Sequence, residues 1–379
     1  MNEYAVKIRR ELHRRPEIGF DLPCTLALLR RELDALGVEY TEEFGKSSIV
    51  ATINPERSHF TIGIRADMDA LPITERNETE YSSEIEGQMH ACGHDAHTAI
   101  ALAALKALNE IKDKITCRVK FIFQAAEEYA PSGAMLMARD GVMKDIDEII
   151  ALHVDTDLNA GTVGFVPGYM NATSDGFTLD FYGKSAHVAF QQYGRDAIMM
   201  AVRAYTDIEF MIAKEISARE PIIFNCGAIH GGTTNNVICD HASMFCTLRT
   251  HTDETAEYVL SKIKRIGEAV ADTAGGRFEY TQKKHYPTVY NDPEIEKKLR
   301  AVAAETVGDG YILEKRRSMG GEDFSYLSNE KPGCMFRLGV KNAARGIVHG
   351  LHTDLFDLDE SALEVGVSMF KNYVLKYMK

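Results

Sequence analysis

Three short apolar runs, FTIGIRAD (60–67), VKFIFQAAEE (119–128) and EIIALHV (148–154), alternate with helical stretches, and each carries acids or a histidine at or near its end. Strands alternating with helices fold into a parallel sheet covered on both faces. In such sheets ligands bind beyond the carboxyl ends of the strands. Asp67 and Asp69, Glu127 and Glu128, and His153 are therefore expected to converge. The expected fold class is α/β, a mostly parallel sheet flanked by helices. The helices expected around it cover 2–15, 23–36 and 97–108, with a further one through Met135 and Leu136 and a closing one over 359–378.

The pattern changes near residue 173. DGFTLDFYG (175–183) alternates like a half-exposed strand. A helix over about 195–216, the strands PIIFNCGAIHG and HASMFCTLRT, a helix over 253–273 and the strand GRFEYTQKKHY follow. That order, β-α-β-β-α-β, is the ferredoxin-like arrangement. Two domains suit a chain of 379 residues. The economical division is an α/β domain of residues 1–172 and 287–379 into which an α+β domain, 173–286, is inserted.

The formal net charge of −13, with Lys and Arg scattered, argues against nucleic acid and against an acidic membrane face as partners. No apolar run approaches a membrane span, and the N-terminal segment lacks an apolar signal core. Seven irregularly spaced cysteines without a CxxC pair make a disulfide framework a poor fit. The cytoplasm is the expected location.

Five residues could hold metal: Cys92 and His94 in MHACGHDAH, Glu128 in FQAAEE, His153 in ALHVD and His352 in HGLHTD. One thiolate, three imidazoles and a carboxylate suit two divalent transition ions better than one closed structural zinc. Cys92 and His94, two apart in an extended turn, could both reach one metal pair, with Gly93 keeping the backbone permissive. Adjacent carboxylates such as Glu127 and Glu128 repel at the end of an apolar strand unless a cation is near. Metal hydrolysis gives such a pair separate work, one carboxylate binding the ion and the other moving protons. Asp69 would orient a ligand histidine, with Asp67 in the same network. Taken singly, each residue also fits a turn, cap or satisfied core role.

Taken together, LHRRPEIGF, RADMDALP, MHACGHDAHTA, FQAAEE, ALHV, GKSAH, GGTTNNVI, LRT, GGEDFSYL and HGLHTDLF run nearly end to end. The chain resembles the amidohydrolase branch of the aminoacylase-type dinuclear metallopeptidases, which includes hippurate hydrolase, indole-acetyl-amino-acid hydrolases and N-acetyl-diaminopimelate deacetylase. The resemblance implies a dinuclear-zinc exopeptidase-like catalytic domain and an inserted lid that forms a homodimer. It implies Cys92, His94, Glu128, His153 and His352 as ligands of two divalent ions (zinc, manganese, cobalt or nickel), with Cys92 bridging. It further implies Glu127 as general acid/base and His187 of GKSAH as the group that polarises the scissile carbonyl in the partner subunit. Asn235, Asn236 and Arg249 would hold the substrate's carboxylate side.

The expected activity is metal-dependent hydrolysis of the amide bond of N-acyl amino acids. A dipeptidase or carboxypeptidase acting on short peptides, a cysteine amidase using Cys92 as nucleophile, and a silent binding relative are the alternatives. The chain departs from the family at Ala125 and Ala126, where a proline is usual, at Phe190, Gln191 and Gln192 after GKSAH, and in DTDLNAG, which lacks the usual prolines.

Overall fold

The computed structural model describes residues 1–378. It divides into two compact units. The first comprises Met1–Gly168, Tyr290–Arg316 and the chain from Asp323 onward; the second comprises Tyr169–Val289 and Arg317–Glu322.

In the first unit eight strands form one sheet. In spatial order they are Glu39–Thr41, Ile49–Ile53, Arg118–Gln124, Thr61–Asp67, Glu148–Asn159, Gly333–Lys341, Val163–Phe165 and Ile312–Glu314. The central strands from Arg118–Gln124 to Gly333–Lys341 pair in parallel, while antiparallel pairs occur toward both sides, so the sheet is mixed. Every residue of Thr61–Asp67 is buried, as a central strand covered on both faces requires. The helix His94–Asn109 is almost wholly buried, which its Ala- and Leu-rich sequence permits, and it packs against the helices Asn2–His13 and Ala362–Tyr377. No helix among the described residues is long and apolar enough to cross a membrane.

Three expectations near the strand ends need correction. The strand carrying His153 does not stop at Val154 but continues to Asn159, because DTDLNAG has no proline to break its ladder with Gly333–Lys341. His153 therefore sits mid-strand and buried, with burial giving way only from Asp155, rather than at the strand end. The strand before the paired glutamates stops at Gln124, and a turn with Ala126 at φ +53° carries Glu127 and Glu128. The third helix begins at His94, not His97, since Gly93 at φ +82° makes the tight entry that starts it. A helix over Pro293–Thr306 is capped by the Asp292 side chain.

The second unit runs Ser174–Tyr182, helix Ala197–Glu215, Ile222–Gly231, His241–Thr250, helix Asp253–Ala274, Arg277–Tyr286. Its sheet order, Arg277–Tyr286, Ser174–Tyr182, His241–Thr250, Ile222–Gly231, is antiparallel throughout. Asp196 and Thr252 cap the two helices through their side chains. Phe177, Leu179, Phe181, Met244 and Leu248 from the sheet and Ile208 and Ile263 from the helices make its core.

Candidate metal centre

Arg65 lies fully buried in the central strand, and it organises the polar floor beneath the site. Its Nε donates to Gln124 Oε1 at 2.8 Å, and its Nη atoms donate to Asp67 Oδ2 at 2.6 Å and Asp323 Oδ1 at 2.7 Å. Asp323 Oδ2 also accepts from Gln124 Nε2 at 2.7 Å. The sequence signal for this network is a charge inside an apolar strand, yet Asp323 lies 258 residues away and was not legible as its partner.

Asp67 spends its other oxygen on His97, whose Nδ1 is 2.6 Å from Oδ1. The Val154 N–H donates to His97 Nε2 at 3.0 Å, so that nitrogen is the acceptor and Nδ1 carries the proton. Both nitrogens of His97 are thus engaged, and His97 is a prop rather than a free ligand. His153 is fixed by the backbone of the same residue through the next peptide group, its Nδ1 2.7 Å from the Val154 carbonyl oxygen. That oxygen accepts only, so His153 Nδ1 is protonated and the Nε2 lone pair faces outward. Nε2 is 3.5 Å from Cys92 Sγ.

On the other side of Cys92, His352 Nε2 is 3.3 Å from Sγ and 3.1 Å from Glu128 Oε1. The His352 N–H donates to Ala91 O at 2.8 Å, which ties the C-terminal turn, with His352 at φ +60°, to the residue preceding Cys92. His94 is buried, and neither of its ring nitrogens has a hydrogen-bond partner among the described residues. Asp69 Oδ1 lies 3.4 Å from Nδ1. Asp69 does more than face this histidine: Oδ1 accepts the Glu127 N–H at 2.9 Å and Oδ2 the Glu128 N–H at 3.1 Å.

The potential ligand atoms fall into overlapping groups, each within 4.8 Å: Cys92, His94 and His153; Cys92, Glu128 and His352; and His94, Glu127 and Glu128. Cys92 belongs to both thiol-containing triads. The structure therefore brings Cys92, His94, Glu127, Glu128, His153, His352 and Asp69 together. Burial pushes the Cys92 thiol up to about 12, against the pull of His94. A thiol so placed becomes a thiolate only with strong positive charge beside it, as a divalent ion provides. Burial also opposes ionisation of Glu128, but the His352 bond and His94 hold its carboxyl below the ordinary value. A thiol, outward-facing imidazole nitrogens and carboxylates around one point fit divalent metal.

His187, Asn235, Asn236 and Arg249 belong to the second unit. His187 is exposed at the entry to the turn Val188–Tyr193, its Nδ1 accepting the Ala189 N–H at 3.1 Å. Exposed Asn236 meets this turn through its carbonyl, which accepts the Val188 N–H at 3.1 Å. Asn235 is exposed beside it. Arg249 is half-buried and donates to the Met319 carbonyl at 2.9 Å.

Residues 63–376 match peptidase family M20/M25/M40. The chain belongs to this family. Among M20-type relatives, the N-acetyldiaminopimelate deacetylase of Geobacillus sp. is 35% identical over 374 residues, covering 97% of this chain and 96% of the relative. The crystal structure of a protein described as an aminohydrolase from methicillin-resistant Staphylococcus aureus superposes with a TM-score of 0.94 at 31% identity, covering 100% of this chain and 97% of that one. A Bacillus subtilis protein described as a dinuclear metal binding peptidase of the M20 family gives 0.85 at 30% identity, covering 100% and 98%. The expected enzyme class, a metal-dependent hydrolase of amide bonds, is thereby borne out. One departure from the family pattern also gains a physical account. Ala125 donates its N–H to Ser48 Oγ at 3.1 Å, a bond that proline could not make.

Proposed function

We propose that the chain hydrolyses the amide bond of N-acyl amino acids, with one divalent ion held by Cys92, His94 and His153 and a second by Cys92, Glu128 and His352. The observation that carries this reading is the sharing of Cys92 between two ligand triads, with Glu127 in the turn that also bears Glu128. Two divalent ions held by these residues would supply polarisation of an amide carbonyl and a lowered pKa for the attacking water. Glu127 takes the proton of the attacking water and delivers it to the leaving amine. Asp69, gripping the backbone of both glutamates, keeps the proton carrier and the ligand in fixed relation. His153 presents Nε2 because Val154 O holds its Nδ1 proton. Thiolate with imidazole favours zinc, and the mixed oxygen and nitrogen donors also accept manganese, cobalt or nickel.

The second unit acts in this reading as a lid and dimerisation domain. His187 donates to the scissile carbonyl in the partner's site, and Asn235, Asn236 and Arg249 bind the substrate carboxylate. Support for a homodimer comes from the edge strand Ile222–Gly231, with Ile223 and Ile229 exposed, and from exposed Met199, Val202 and Phe210 on the helix Ala197–Glu215. The cytoplasm is the proposed compartment, on the odd cysteine count without a CxxC pair. The test is turnover by zinc- or manganese-loaded protein of N-acetyl amino acids, N-benzoyl amino acids and dipeptides. N-acyl amino acids are expected to be the better substrates; preference for dipeptides makes the chain a dipeptidase, and binding without turnover makes it a silent relative.

A further inference from the structure

Cys226 and Cys246 lie outside the metal centre, in the second unit, and face each other as direct register partners on the antiparallel strands Ile222–Gly231 and His241–Thr250. Directly opposed residues of an antiparallel pair share a face and have Cα atoms about 4.5 or 5.5 Å apart. Both spacings fall within the roughly 4.4–6.8 Å that a disulfide spans. No other two cysteines are register partners among the described residues. We propose that Cys226 and Cys246 form a modification site, a dithiol that a hydroperoxide oxidises to a cross-strand disulfide and that small thiols reduce again.

The local structure suits this chemistry. The ladder is irregular at this point, since Phe245 pairs with Ala228 while Cys246 pairs with Cys226, leaving Gly227 as the extra residue of a bulge. A glycine bulge on an edge strand lets the backbone adjust by the small amount that S–S bond formation asks. Both thiols look toward the helices: Cys246 is part of the core, and Cys226 packs against it half-buried. Phe224, two residues before Cys226 on the same face, is covered by Tyr205 with ring centroids 6.1 Å apart. Burial and the neighbouring Cys226 sulfur both raise the pKa of the Cys246 thiol, which marks the two sulfurs as close neighbours.

The accessible member, Cys226, reacts first. Its thiolate sulfur attacks a peroxide oxygen, the O–O bond breaks, and the alcohol or water leaves with a sulfenic acid on Cys226. The Cys246 sulfur then attacks that sulfenic sulfur and water departs, so two thiols and one hydroperoxide become one disulfide, one alcohol and one water. Two small thiols reverse the step and leave as their own disulfide.

The test uses full-length Cys24→Ser protein, which lacks the one exposed thiol, loaded with zinc and treated with hydrogen peroxide. Free thiols are counted after denaturation, and linked fragments from cleavage at Asp240, which parts Cys246 from Cys226 and Cys239, are sequenced by tandem mass spectrometry to tell Cys226 from Cys239. The expected result is a loss of two thiols per chain, a mass loss of two hydrogens, restoration by dithiothreitol, and fragments joined through 226 and 246. Adding Cys226→Ser or Cys246→Ala should abolish the two-thiol loss. A link through Cys239, a two-thiol loss that persists in both variants, or addition of oxygen to single cysteines with no link would overturn the proposal. The fragment map is read on a chain that keeps both cysteines, so it decides the matter even if a variant fails to fold.

Discussion

Asp69 holds Glu127 by its backbone: Oδ1 accepts the Glu127 N–H at 2.9 Å, while Oδ2 takes the adjacent amide of Glu128 at 3.1 Å. A side chain expected only to orient a histidine thus fixes the turn that carries both glutamates. An asparagine can accept through one atom alone, and its NH2 would oppose the second N–H. Asp69→Asn is therefore expected to lower kcat about 10–100-fold with the fold retained, measured by steady-state turnover beside circular dichroism. Unchanged kcat would remove the clamp from the account.

In the proposed mechanism Glu127 carries the proton and Glu128 binds the metal. Glu127→Gln keeps the size of the side chain but removes the base, so metal content should stay at the wild-type level. Turnover should fall about 100- to 10,000-fold. Elemental analysis of the variant alongside its rate checks this, and wild-type turnover would exclude Glu127 as the base.

Gly93 is required by geometry. It adopts φ +82°, and a Cβ there would sit 2.5 Å from Val154 Cγ2. Gly93→Ala combines a left-handed backbone with overpacking between Cys92 and the His153 strand. A stability loss of about 2–4 kcal/mol is expected from denaturant unfolding. A loss below about 0.5 kcal/mol, the range of ordinary surface substitutions, would contradict the tight entry.

His13 provides a pH test at a residue outside the proposed ligand set. Burial opposes its protonation, but Asp95 at 2.8 Å and Glu75 at 3.3 Å outweigh this and the repulsion of Arg9, raising its pKa to about 9. A histidine with a raised folded pKa adds stability that is complete below its unfolded value of about 6.5 and is lost as pH rises through the folded one. The stability gap between wild type and His13→Gln should therefore be larger near about pH 6 than near about pH 10. A gap that is equal at the two pH values, or larger at the high one, would contradict the assignment.

Much of this was legible in the sequence because apolar runs and chemistry-bearing residues coincide. Thr61–Asp67 is apolar enough to announce a central strand, with Asp67 ending it and Asp69 just beyond. The histidine of ALHV was legible as well, though not its position within a longer strand, since continuation to Asn159 depends on pairing with residues near 340. The short strands Glu39–Thr41 and Ile49–Ile53 escaped notice because they are stabilised by their neighbours in the sheet rather than by a pattern of their own. The Arg65–Asp323 pair and the tie from His352 to Ala91 were invisible for the same reason, being contacts across long sequence separations. The proton on His153 Nδ1 is set by a backbone carbonyl, which no side-chain motif encodes.

The central claim is a two-ion hydrolytic site around Cys92, and metal stoichiometry joined to a chelation and add-back assay tests it most directly. The account predicts two divalent ions per chain, loss of activity with chelator, and recovery on adding zinc or manganese. Full activity in metal-free protein, abolished only by alkylation of Cys92, would contradict it and make the thiol a nucleophile instead.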